Sequence, residues 1–337
     1  MLEDAKYLRD STNMATDPLS DILRLTHAES LVTGGFSAGG AWAIRFPAPT
    51  TIKFFAIVKG HCWVSIDGEK DAIRFEKGDV GLLAAPRSFI VASDLNQAPV
   101  DAMSLFSGAG KSATQIGDGE DLAYIGGHVR LDAASGPLVA NALPPWIRID
   151  AATTQATAFR WLLTQLVDER SDVQLGSQLA SAHLAQLLFI QILRAHMESA
   201  AVMSPGWFRA MSDGRLKPAL VLMHGDPARN WHLDELADAC AMSRTTFASR
   251  FRTAAGVAPL TYLGEWRMRL AQQALRDSTT PVAVIAQSIG YTSESAFSNA
   301  FKRMTGHSPR DYRNANRPED ERGIDEADAF EFSSELN

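Results

Sequence analysis

Cysteine is nearly missing from this chain: 337 residues contain two, Cys62 and Cys240. Neither belongs to a Cys-x-x-Cys or Cys/His cluster, which excludes a disulfide framework and a structural zinc site. Long apolar runs are missing too. No stretch of 18 residues is apolar throughout, so no transmembrane helix is expected. The first 30 residues carry Glu3, Asp4, Asp10, Asp17 and Asp21, which is incompatible with a basic, apolar leader. A soluble cytoplasmic protein with no membrane partner is the expectation. Both cysteines read as small core residues, with a redox pair as the alternative.

With 46% apolar residues the chain can bury a full core, and its length suits two domains. Its net charge of −7 is unevenly spread. Residues 215–313 hold 13 Lys/Arg against 8 Asp/Glu, a net of +5, leaving −12 on the remainder. Positive charge thus gathers in one region, as a polyanion-binding surface requires. Residues 314–337 hold 8 Asp/Glu and 2 Arg with no periodicity, which predicts a disordered acidic tail.

Residues 1–16 read as a flexible lead-in, and Met14 is a candidate natural start because ordered-looking sequence begins at Asp17-Pro18-Leu19. From Ala41 to Asp132 the chain breaks into short β-rich runs. These are Ile52 to Val58, Cys62 to Ile66, Ala72 to Phe75, Val80 to Ala84, Phe89 to Ala92 and Met103 to Phe106, with turns at Asp67-Gly68 and Lys77-Gly78. Many brief strands at this spacing predict an antiparallel sandwich or barrel over residues 17–150. From Thr153 apolar residues recur at helical spacing: Phe159, Leu162, Leu163 and Leu166, then Leu179, Leu184, Leu187 and Leu188 beyond Gly176. An antiparallel helix pair is expected in a connector over 151–214. Its second helix is apolar on more than one face, which suits burial against its own domain and against a second subunit, with packing inside the chain alone as the alternative.

An internal repeat dominates the carboxy-terminal third. Phe247-x3-Phe251-x4-Gly256-x2-Pro259-x2-Tyr262 returns as Phe297-x3-Phe301-x4-Gly306-x2-Pro309-x2-Tyr312, every element displaced by 50 residues. Coincidence of five positions at one offset indicates duplication. A small amphipathic helix precedes each copy, Leu233 to Ala241 and Val282 to Ile289, and Ser243 or Ser293 is placed to cap the helix that follows. Two helices joined by a tight turn make a helix-turn-helix, whose second member enters the major groove. With the Phe pairs inward, 100° per residue turns Thr245, Ala248, Ser249 and Arg252 outward in the first copy. The same rotation turns Ser295, Ser298, Asn299 and Lys302 outward in the second. Asn299 suits a bidentate contact with adenine, and Thr245 or Ala248 a thymine methyl. Arg244, Arg252, Lys302 and Arg303 suit phosphates. Between the copies, Pro259 to Asp277 reads as a rigid spacer helix. Double-stranded promoter DNA is the partner these residues imply.

At these residues the sequence resembles the AraC family of transcription regulators. Trp231-His232-Leu233, Ser243-Arg244, Tyr262-Leu263, Trp266-Arg267-Met268-Arg269, Ile289-Gly290-Tyr291 and the Gly306-to-Tyr312 ending carry the likeness. Upstream, Asp17-Pro18-Leu19-Ser20, Phe46-Pro47-Ala48-Pro49, Gly78-Asp79 through Pro86, Leu143-Pro144-Pro145 and Gly206-Trp207 resemble members with a cupin-type sensor domain. The resemblance implies an α+β chain of two domains: an amino-terminal cupin-like β-barrel with helical connector, and a tandem helix-turn-helix at 215–313. It also implies a small-molecule effector in the barrel, with Trp42, Phe54, Cys62, Val64 and Arg87 as candidate lining. RNA polymerase as a partner follows from the same likeness, with an activator's or a repressor's role both open, and a homodimer is expected from the connector. Cupin enzymes bind metal through several His and a Glu. Here the strand at Ile52 to Val58 has no His, Pro86-Arg87-Ser88-Phe89 has none, and His61 stands alone. No metal, cofactor or catalytic residue is therefore expected. An effector-controlled regulator is the primary reading, with a redox sensor using Cys62 or Cys240 and a cupin enzyme with an accessory DNA-binding domain as alternatives.

Overall fold

The computed structural model describes residues 17–106, 114–152, 156–171, 174–199 and 203–316. The lead-in at 1–16 and the tail beyond 316 lie outside the described residues. The chain divides into two compact units, one of Ile22–Ser204, the other of Pro205 onward with the segment ending at Asp21. Helix α1 (Pro18–Leu25) carries the chain from the second into the first.

Eleven strands are described in the first unit: β1 (Glu29–Ala38), β2 (Ala43–Phe46), β3 (Ile52–Lys59), β4 (His61–Ile66), β5 (Ile73–Glu76), β6 (Val80–Leu83), β7 (Phe89–Ala92), β8 (Val100–Asp101), β9 (Thr114–Ile116), β10 (Leu122–Arg130) and β11 (Trp146–Ile149). They form two sheets, ordered β11-β6-β3-β10-β1-β9 and β5-β4-β7-β2-β8. Pairing is antiparallel except at β1/β9 and β2/β8. The expected closed barrel is instead a pair of open sheets around one core. Edge strands β8 and β9 have two and three residues, too few to carry a hydrogen-bond ladder across to the other sheet.

Both sheets contribute to that core. Phe36, Phe55 and Tyr124 come from one, Phe46, Phe75 and Phe89 from the other. Phe46 stacks on Phe89 at 4.8 Å and Phe36 on Tyr124 at 4.8 Å. Burying each such ring contributes roughly 1.5–3 kcal/mol, and together they fasten the sheets. One expected strand is a helix: Met103 to Phe106 lies in α2 (Ala102–Phe106). Asp101 sets it, accepting the Met103 amide at 2.7 Å through its side chain and the Ser104 hydroxyl at 2.6 Å through its carbonyl. Such a local bond favours a helix start over a strand. After the short α3 (Pro137–Ala140), helices α4 (Ala156–Ser171) and α5 (Ser177–Glu198) follow, reversing at Gly176, whose φ is 89°.

The two helices pack on each other, α5 also on β1 and α4 on β3. They belong to the sheet unit and do not stand apart as a connector. Phe159, Leu162, Leu163 and Leu166 of α4 and Leu188, Phe189, Ile192 and Leu193 of α5 supply the inner stripe. Leu175, Leu179 and Leu187, with Trp161, stay exposed.

The second unit is helical: α6 (Trp207–Ser212), α7 (Lys217–Gly225), α8 (Leu233–Ala239), α9 (Arg244–Ala255), α10 (Pro259–Asp277), α11 (Val282–Ser288), α12 (Glu294–Thr305) and α13 (Pro309–Ala315). It begins ten residues earlier than composition suggested. The buried Trp207 and Phe208 and the Asp213 carboxylate pack α6 and its turn against α9. Asp213 accepts Arg250 Nε and Nη2 at 2.6 and 2.9 Å.

Candidate nucleic-acid interface

The duplication read in the sequence recurs in three dimensions. Helices α9 and α12 each have 12 residues, each capped by a serine whose hydroxyl accepts the amide three residues on. Ser243 Oγ takes Thr246 N at 3.3 Å and Ser293 Oγ takes Ala296 N at 3.2 Å. Each helix ends on a left-handed glycine, Gly256 with φ 79° and Gly306 with φ 80°. Phe247 and Phe251 lie 5.7 Å apart, Phe297 and Phe301 5.5 Å, all four fully buried. Tyr262 meets Phe251 edge-on at 5.6 Å, as Tyr312 meets Phe301 at 5.3 Å.

That anchoring decides which side chains face solvent. Arg244, Thr245, Ser249 and Arg252 are exposed on α9, with Ala248 half-buried. Ser295, Asn299, Lys302 and Arg303 are exposed on α12, with Ser298 half-buried. Rotation on the Phe pairs therefore gives an outer stripe of the same geometry on both helices, but of different chemistry. Arg252, Lys302 and Arg303 form no ion pair with a described residue, whereas Arg244 Nη1 lies 3.5 Å from the Asp234 carboxylate of α8. An anion approaching Arg244 competes with that carboxylate; at the other three it meets unpaired charge.

The scaffold joining the halves was only partly legible. Helix α10 was expected as a spacer, but the strut beside it was not. Arg267 donates from Nε to the Pro227 carbonyl at 2.6 Å and from Nη2 to the Arg229 carbonyl at 2.8 Å. This pins the loop before α8. Gly290, after α11, sits against the same loop, where a Cβ would lie 2.2 Å from the Ala228 carbonyl oxygen. The end of α11 is thereby seated on the loop that precedes α8, so the two helix-turn-helix copies are joined by more than the spacer. Arg313 donates to the Thr280 carbonyl and Arg276 to Tyr312 Oη, closing the second copy. Glu235 completes a capping box at α8: the His232 amide and Arg229 hold its carboxyl below the usual carboxylate range.

In the sheet unit, the candidate effector residues occupy three environments. Trp42, Cys62 and Val64 lie in the aromatic core. Phe54 points to the opposite sheet face, its ring 2.3 Å from where a Cβ on Gly127 would stand. Arg87 is half-exposed and pairs with Glu69 at 2.7 Å. Burial, then the charges of Asp79 and Glu76, push the Cys62 thiol up to about 12. Burial raises Cys240 as well. His61 is an exposed residue at the start of β4. Among the described residues, no three His, Cys, Asp or Glu side chains are grouped to hold a metal ion, and no helix is long and apolar enough to cross a membrane.

Residues 17–198 match the family model described as a cupin, and residues 236–315 one described as a helix-turn-helix domain. A putative AraC-like transcription regulator of Streptomyces antibioticus is 40% identical over 297 residues, covering 88% of this chain and 98% of its own. The regulator AlkR of Acinetobacter baylyi is 31% identical over 310 residues, covering 89% of this chain and 98% of its own. Among solved structures, the DNA-binding domain of AdpA in complex with a target DNA is 34% identical, with a TM-score of 0.29 over 30% of this chain and 91% of that one. The chain belongs to the AraC-like transcription regulators, DNA-binding proteins with a helix-turn-helix domain, and carries a cupin domain at its amino-terminal side.

Proposed function

We propose that the chain is an effector-controlled regulator of transcription, acting in the cytoplasm by binding rather than by catalysis. The observation that carries this reading is the pair of capped, equally anchored helices α9 and α12 with their outer stripes exposed. Asn299 reads a base edge, and Ser295, Ser298, Thr245, Ala248 and Ser249 complete the groove surface. Lys302, Arg303, Arg252 and Arg244 hold phosphates. Two recognition helices about one DNA turn apart, ~34 Å, engage successive major-groove segments. A small molecule bound by the cupin domain acts through its different affinity for two arrangements of the protein. RNA polymerase is the partner such control acts on.

Two further features support parts of this reading. Trp161 of α4, Leu179 and Leu187 of α5 and Leu175 in the turn before α5 are exposed and offer apolar contacts to a second copy of the chain. Leu179→Asp is expected to lower the sedimentation coefficient if that copy is bound. The raised thiol of Cys62 disfavours the redox alternative, since the thiolate is the reactive form. The testing experiment is a mobility shift of the full chain on genomic promoter fragments across a salt series. Preference for particular fragments, with affinity falling steeply as salt rises, is expected. Equal affinity for all fragments at low salt sinks the reading.

A further inference from the structure

Three polar groups on the inner face of the first sheet form no ion pair and no side-chain hydrogen bond with a described residue. Alternation along β3 turns Lys53 to the same side as the core residues Phe55 and Ile57. Its ammonium lies 4.9 Å from the Phe46 ring centre and 5.7 Å from that of Phe89, and it forms no ion pair with a described residue. On β10, Leu122 and Tyr124 face the core, and the same alternation turns Gly126 and His128 that way. His128 is paired in register with Lys53. The Tyr124 hydroxyl is buried and without a hydrogen-bond partner among the described residues. The ring runs along the strand over Gly126, its oxygen 3.6 Å from where a Cβ on that residue would stand, which carries the hydroxyl from Tyr124 toward the His128 end.

The surroundings leave access. Gly126 is opposed by Gly34 of β1, where a Cβ would meet nothing within 4 Å. Lys53 and His128 are both half-exposed, so solvent reaches them while Tyr124 stays buried. The walls are the rings of Phe46, Phe55 and Phe89. An ammonium, an imidazole and an orphan phenol supply hydrogen-bond donors, and no carboxylate among the described residues pairs with them. An unpaired buried donor costs about 1–3 kcal/mol, so a partner that satisfies it is favoured. Burial pulls the Lys53 ammonium below its ordinary value, and burial followed by the charges of Arg130 and Lys53 does the same to His128. Desolvation of that kind is relieved by an incoming negative charge.

Resting on the effector-controlled reading above, we infer that the effector is a monocarboxylate with an apolar or aromatic body, its carboxylate held by Lys53, the Tyr124 hydroxyl and His128, its body against the Phe46 and Phe89 rings. A single charge suits the site better than a phosphate dianion, which brings more desolvation than one ammonium offsets. Trp42, Cys62 and Val64 then shape the core beneath the site without touching the ligand.

The test is calorimetric titration of the full chain with benzoate and decanoate, and with benzamide and decanol as their uncharged counterparts. At least one acid is expected to bind, and its counterpart about tenfold or more weakly. Lys53→Met is expected to weaken the acid about tenfold and leave the counterpart unchanged. Tyr124→Phe is expected to weaken the acid severalfold without lowering the melting temperature, because removing an unpaired buried hydroxyl is neutral or stabilising. His128→Gln serves as a second variant that keeps a donor, and is expected to retain most of the affinity. If neither acid binds, or if Lys53→Met binds the acid as wild type does, the inference is overturned. Mobility shifts on the same preparations separate the two readings. Loss of acid binding with operator binding intact removes only the carboxylate site, whereas absent operator binding removes the regulator reading itself.

Discussion

Adding one methyl group at two glycines of the helical unit is expected to have opposite effects. Gly264 lies within α10, and a Cβ there meets nothing within 4 Å. Gly264→Ala lowers the backbone entropy lost on folding and stabilises by roughly 0.5–1 kcal/mol. Gly290 has φ +86°, and its Cβ would lie 2.2 Å from the Ala228 carbonyl oxygen and 2.9 Å from its carbon. The left-handed backbone alone costs an L-residue about 1–2 kcal/mol. The overlap is with main chain, which cannot rotate away, and Arg267 holds that loop at Pro227 and Arg229. Together these put Gly290→Ala on the order of 3 kcal/mol destabilised. At roughly 4 °C per kcal/mol for a domain of this size, the helical unit should melt roughly 10 °C lower in Gly290→Ala and a few degrees higher in Gly264→Ala. Differential scanning calorimetry of the full chain reads both, and operator affinity well below the melt should fall in Gly290→Ala only. A Gly290→Ala protein that melts within a degree of wild type refutes the claim that this contact seats the second copy.

Three further outcomes are expected. Asn299→Ala should cost ~1–3 kcal/mol on the preferred operator and relax discrimination at one base, whereas Lys302→Ala should weaken all sequences alike and reduce the salt slope by about one; competition binding at two salt concentrations distinguishes them. With its thiol at about 12, Cys62 is only about one part in ten thousand ionised at pH 8, so iodoacetamide should leave it unlabelled in the folded chain and label it in denaturant. The depressed Glu235 carboxyl contributes stability above its unfolded value, about 4.3, and that contribution is lost as pH falls through its lower folded value. Thermal melts of wild type and Glu235→Gln should therefore differ at pH 7 and converge in acid.

The carboxy-terminal unit was legible because its signals are local and doubled. A 50-residue offset exposed the Phe pairs, and once these point inward the 100° rotation fixes the outer stripe. Ser243, Ser293 and the spacer Pro259–Asp277 followed from capping and proline rules. The Arg267 and Gly290 strut was illegible because it joins residues about 40 and 60 positions apart with no periodicity to mark them.

The sheet unit gave less away. Strand β1 carries Thr33-Gly34-Gly35 and β10 carries Gly126-Gly127, so alternation is broken where the pairing is longest. A lone lysine in the apolar run Ile52 to Val58 reads as a solvated residue until the sheet places it over Phe46. Tyr124 is unremarked in sequence, since only the fold shows its hydroxyl without a partner among the described residues. Candidate lining by Trp42, Phe54 and Val64 rested on the family resemblance, and strand alternation does not say which sheet face a ligand would meet.

Hydroxyl-radical footprinting of the full chain on a selected operator tests the tandem interface most directly, repeated with variants of each outer stripe. Two protected segments about one helical turn apart on one face of the duplex are expected. Asn299→Ala with Lys302→Ala should remove one segment, and Ser249→Asp with Arg252→Ala the other. A single protected segment per chain, or loss of both segments together from either set of substitutions, would contradict two separately docked recognition helices.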